Sequence, residues 1–291
     1  MALAMRPGLD SYSFHRFFGE TTPWESPASV RWTLRTFLDF LDGTGLRLAS
    51  LQTAYLPPRA RAEEEIARWR GAGEREVVLT WGHPRGFDGG RNPDALPDAL
   101  DHLRWCARIG ATQMRIVLGN QNNFHQPVEA RKHLLAAPLR ELARAARDEG
   151  VLLSVENHAD FRVRDLLDLL AQTGTPAPGL CLDLGNALRT GDAPAALLRE
   201  IGPGRLFMVQ LKDVLRVPGD EDPRGWWPAV EFGSGHADLA GCLAILRERG
   251  YDGPAVIELS NLHTGLEETT VARQAAGFVR HLMVQSGAGA L

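Results

Sequence analysis

Residues 141–158 read ELARAARDEGVLLSVENH. The first part is a helix: Leu135, Leu139, Leu142 and Ala146 fall at i, i+4, i+7 and i+11, one apolar stripe. Gly150 stands where a helix ends in the left-handed region. A short apolar run follows and closes on Glu156. The same unit of helix, glycine, strand and polar loop recurs at residues 37–53 with Gly45, 102–120 with Gly110 and 242–261 with Gly250. Pro138 lies inside the helical pattern and is expected to kink it or split it in two.

Eight strands are predicted, near residues 8–13, 47–52, 76–81, 113–118, 151–156, 179–183, 206–211 and 255–259. From the third onward they are mostly continuous Val/Ile/Leu runs, as in a parallel sheet covered on both faces. Helices of about 10 to 20 residues separate them. Eight alternating βα units predict an α/β fold, a closed (β/α)8 TIM barrel. An open doubly wound sheet would carry a glycine fingerprint after its first strand, and SYSFHRFFGE (11–20) has none. Residues 1–291 therefore read as one domain, with about 1–7 and 286–291 as flexible ends. The Gly/Pro-rich stretches 81–93 and 217–235 read as long loops on the catalytic face.

Four strands end on an oxygen donor: Glu156, Asp183, Gln210 and Glu258. The first three are 27 residues apart, about one strand and one helix, and Glu258 lies 48 further on. At a barrel's C-terminal rim they would converge. Three carboxylates and an amide, without thiolate or imidazole, suit one hard divalent cation: Mn2+ or Mg2+, with Co2+ tolerated. The bland alternative is that each caps a helix or pairs with an arginine, which four together make much less attractive than one alone.

Of nine histidines, His15, His83, His125, His158, His236 and His263 lie at strand ends or in βα loops. His158, two residues beyond Glu156, is the best acid/base candidate among them. The chain has only two lysines, Lys132 and Lys212, against 32 basic residues. Lys212 follows Gln210 by two and reads either as a holder of a substrate oxyanion or as an ion-pair partner of Asp213. Trp81, Trp226 and Trp227 offer rings at the barrel mouth, and Asn120, Asn186, His83 and His236 offer hydrogen bonds to a substrate.

A net charge of −4 gives no footprint for nucleic acid. No apolar run reaches a membrane span, and MALAMRPGLD lacks a secretory h-region. Three scattered cysteines read as thiols of a reducing compartment, so the expected location is the cytoplasm. A homo-oligomer is compatible with the sequence.

The stretches VENH (155–158), CLDLGN (181–186), QLKDV (210–214), GSG (233–235) and IEL (257–259) resemble the xylose isomerase-like barrel superfamily. The resemblance is to its sugar phosphate isomerase/epimerase group, which includes ketose 3-epimerases and inosose and 3-dehydroshikimate dehydratases. It implies Glu156, Asp183, Gln210 and Glu258 as metal ligands, with Glu156 and Glu258 doubling as the acid/base pair. Two positions depart from the pattern. Gln210 stands where His is usual, as in some dehydratases, and Asn186 stands where both the ketose 3-epimerases and the dehydratases of the dehydroshikimate type usually have His. The implied chemistry is proton abstraction beside a carbonyl of a sugar or keto-polyol through a metal-bound enediolate, giving isomerisation or epimerisation. Loss of a β-hydroxyl would make it a dehydratase, and a non-catalytic sugar-binding barrel is the third reading.

Overall fold

The computed structural model describes residues 5–23, 25–83, 85–175, 177–202, 204–217 and 222–284. Eight parallel strands close into a barrel in sequence order. They are β1 (Arg6–Asp10), β2 (Leu48–Gln52), β3 (Glu76–Thr80), β4 (Gln113–Ile116), β5 (Leu152–Glu156), β6 (Gly179–Asp183), β7 (Leu206–Leu211) and β8 (Pro254–Ile257). Helices separate them throughout, which is the (β/α)8 arrangement read from the apolar runs.

The four glycines expected to end helices all have positive φ: 78° at Gly45, 68° at Gly110, 68° at Gly150 and 67° at Gly250. Two expectations need correction. The helix Val128–Asp148 runs through Pro138 as one element and is not split. Arg6 and Pro7, expected in the flexible end, open β1 and pair with Pro254 and Ala255. Residues 1–4 and 285–291 lie outside the described residues, as do Pro84 and 218–221 of the two long loops.

The lumen changes character along its axis. Leu48, Val78, Cys181, Met208 and Val256 form a separate apolar plug inside the barrel. Toward the strands' C-terminal ends the buried side chains become polar: Asp10, Ser50, Thr80, Arg115, Glu156, Asp183, Gln210 and Glu258. An apolar floor beneath a polar rim is what holds charged groups in a low-dielectric setting. No helix among the described residues is long and apolar enough to cross a membrane.

Candidate active site

The ends of β5 to β8 do bring Glu156, Asp183, Gln210 and Glu258 together, but around two cationic side chains. Lys212 Nζ lies 2.8 Å from Asp183 Oδ2 and 2.5 Å from Glu258 Oε1. Arg115, from β4, places Nη1 2.9 Å from Glu156 Oε2 and Nη2 3.8 Å from Glu258 Oε2 and 3.9 Å from Asp10 Oδ2. Among the described residues no three His, Cys, Asp or Glu side chains already close on a common point as ligands of one ion. Buried carboxylates need a counter-charge, and here Lys212 and Arg115 supply it. Lys212 thus pairs with Asp183 and Glu258. Asp213, its sequence-predicted partner, instead accepts hydrogen bonds from the backbone of Gly233, Gly235 and Ala237.

Local structure orients each group. Asp183 caps the short helix Leu184–Arg189, with Oδ1 accepting from Asn186 N at 2.7 Å. Asn186 Nδ2 donates to Glu156 Oε1 at 3.1 Å, so Asn186 braces two carboxylates from behind. Gln210 Nε2 donates to Glu258, and its Oε1 faces Cys181 Sγ at 3.4 Å. The amide oxygen expected to face the cluster is therefore turned away from it. Asp10 Oδ1 accepts from Tyr12 N at 2.8 Å, and Oδ2 accepts from Ser50 Oγ at 2.5 Å.

Four carboxylates face two cations in this cluster, leaving two negative charges uncompensated. The excess shows in the titration. Burial, reinforced by the charge of Glu258, pushes Asp10 up to about 7. Burial pushes Asp183 up to about 6, against the pull of Lys212. Burial would raise Glu258 too, but the adjacent Lys212 and Arg115 outweigh it and hold it low. Both cations are desolvated, yet the surrounding carboxylates keep them charged above their ordinary values.

Beside the cluster opens a cavity of about 470 Å3. Arg115, Glu156, His158 and Glu258 form one wall, and Tyr12, Gln52, Trp81, His83 and Asn120 lie on the other sides. His158 Nδ1 sits 2.8 Å from Gly119 O. Against a carbonyl oxygen that nitrogen is the donor, so in the neutral ring the lone pair is on Nε2. Trp81 is wholly buried, donates Nε1–H to Asp98 Oδ2 at 2.7 Å and lies beside the His83 ring, centroids 5.8 Å apart.

Four expected substrate contacts do not line the cavity, Asn186 behind the carboxylates being one. Trp226 stacks beside His263 with centroids 6.3 Å apart, Trp227 is buried in the β7 loop, and His236 is exposed with Nδ1 toward Val214 O. Sequence reasoning missed Asp10 and Arg115. Asp10 ends β1 as the other carboxylates end their strands. Arg115 alternates with Gln113, the period that puts both inside the lumen.

Residues 20–282 match the family model described as xylose isomerase-like TIM barrel. A 3-dehydroshikimate dehydratase from Pseudomonas putida is 30% identical over 156 residues, 52% of this chain and 24% of the dehydratase. The match thus spans about a quarter of that relative's length. Among solved structures, an IOLI protein with a bound zinc atom superposes with a TM-score of 0.74 at 16% identity, covering 97% of this chain and 99% of the other. An L-ribulose 3-epimerase superposes with a TM-score of 0.71 at 17% identity, covering 97% and 96%.

Proposed function

The chain belongs to the xylose isomerase-like TIM barrel family, and from that premise we propose an enzyme: a divalent-metal-dependent isomerase or epimerase of a carbohydrate or keto-polyol. The observation that carries the reading is the excess of two negative charges in a buried cluster on the wall of a cavity. One divalent ion would balance it. Glu156 Oε2 and Asp183 Oδ2 face Arg115 and Lys212 as ion pairs and accept no hydrogen bond among the described residues, so both oxygens suit a cation. Glu156, Asp183 and Glu258 would hold the ion, Mn2+ or Mg2+ by the hardness of the donors. Gln210 would join after a half-turn of its amide, which exchanges Nε2 for Oε1. Bound there, the ion would supply electrostatic stabilisation of charge developing on a substrate oxygen.

The chain's own groups supply the rest. Glu156 and Glu258 reach the cavity as carboxylates able to take a proton from the carbon beside a carbonyl. Arg115 lies against both, with Nη1 2.9 Å from Glu156 Oε2 and Nη2 3.8 Å from Glu258 Oε2. His158 faces the same cavity and can return or relay the proton through Nε2. Trp81, His83 and Asn120 line the substrate's side. The three cysteines are free and buried, which fits a cytoplasmic protein.

A dehydratase is the second reading. It is favoured by the matched stretch of the Pseudomonas putida enzyme and by Gln210 in place of histidine. Incubation with Mn2+ and a panel of keto-sugars and keto-polyols in D2O separates the two. An isomerase or epimerase exchanges the proton beside the carbonyl and returns sugar. A dehydratase accumulates an absorbing enone or diketone. Full turnover after exhaustive chelation would overturn the metal dependence.

A further inference from the structure

We propose that Lys212 gates the cation site: its ammonium holds the place between Asp183 and Glu258 that a divalent ion would take, and it must be displaced before the ion binds. The inference rests on the metal-dependent reading above.

The argument is geometric. Nζ lies 2.8 Å from Asp183 Oδ2 and 2.5 Å from Glu258 Oε1. A small hard dication sits about 2.0–2.2 Å from carboxylate oxygens. An ion shared by these two oxygens would lie within contact distance of Nζ, so ammonium and dication exclude one another by size and by charge. The lysine's approach is also built into the backbone. A Cβ on Gly185 would stand 2.9 Å from both Cγ and Cδ of Lys212, so the absence of a side chain there opens the channel for the stem. All three charged groups are at most 4% exposed, so water does little to screen the competition.

The consequence is an affinity set by a difference: the ion's bonds to the carboxylates less the cost of moving the lysine. Lys212→Met keeps an unbranched stem and removes the charge. Titration with Mn2+ alone, followed by the loss of the free-ion electron paramagnetic resonance signal, should show about tenfold tighter binding or more in Lys212→Met than in the wild type. That is the scale on which an adjacent like charge disfavours an ionic state. If the metal-free variant fails to fold, both proteins are produced in Mn2+, and the rate of ion release to excess chelator is compared instead. Release at least about tenfold slower from Lys212→Met supports the gate. Wild-type protein that binds Mn2+ while Lys212→Met binds it equally or more weakly, or releases it as fast, overturns the gate and leaves the metal reading standing. Failure of both proteins to bind Mn2+ overturns the metal reading, and the gate with it.

Discussion

The two halves of the barrel rim differ in kind. Strands β5, β6 and β8 end in buried carboxylates clamped by ion pairs, and β7 brings in Gln210 and Lys212. The loops of β1 to β4 wall an open cavity with Tyr12, Gln52, Trp81, His83 and Asn120. The first half is tightly constrained, since each carboxylate has at least one cation or donor within reach. The second is an assortment of rings, amides and turns with few mutual constraints. On the proposed function the difference separates roles, with proton transfer in the β5–β8 half and substrate selection in the β1–β4 half. Asp10 and Arg115 cross the divide, because their side chains lean from β1 and β4 into the cluster.

The sharpest way to break this division is Glu258→Gln. It removes the carboxylate shared by Lys212, Arg115 and Gln210. Turnover on the substrate identified above should fall about 10³-fold or more. Retention of a tenth of the activity would remove Glu258 from the chemistry. Next is Arg115→Met, which leaves buried Asp10 and Glu156 without their cation. Urea unfolding should show a loss of about 3–5 kcal/mol. A change below about 1 kcal/mol would make Arg115 a bystander of the cluster.

A pH series sharpens the comparison further. Asp10 is raised to about 7 and Asp183 to about 6, above the values carboxyls have in the unfolded chain. Groups raised on folding stabilise the protein below their unfolded pKa and lose that contribution as pH rises through the folded value. Metal-free protein should therefore lose stability as pH rises from about 4 to about 7. Asp10→Asn should flatten part of that slope, and Mn2+ should flatten it more. A slope unchanged by either would mean that the excess charge is dissipated elsewhere. The smallest effects should come from the selecting half: His83→Ala should raise KM up to about tenfold with kcat nearly constant. His236→Ala, outside the cavity, should change neither by more than about twofold.

How much of this was legible without coordinates depended on whether the signal was local. Continuous apolar runs and helix-ending glycines are local, so the eight strands and the four left-handed glycines could be read directly. The four strand-end donors were visible for the same reason. The identity of their partners was not, because Lys212 and Arg115 meet the carboxylates only once the barrel closes. Arg115 was further concealed by a chain that uses arginine almost everywhere as a surface cation. Its alternation with Gln113 inside an apolar strand was the available clue. Gln210 could be placed by spacing, but the direction of its amide depends on Cys181 and Glu258, which belong to neighbouring strands.

Asp213 gathers the backbone amides of Gly233, Gly235 and Ala237, and Val214 bridges to Ala229, so the long excursion after β7 leaves and returns at nearly one place. A loop whose ends are already tied can change length cheaply: each doubling costs only about 0.6 kcal/mol in closure entropy. Descendants of this chain could lengthen, shorten or exchange that excursion with little disturbance to the strand that carries Gln210 and Lys212. That excursion could then be traded for another while the strand-end carboxylates stay where the barrel put them.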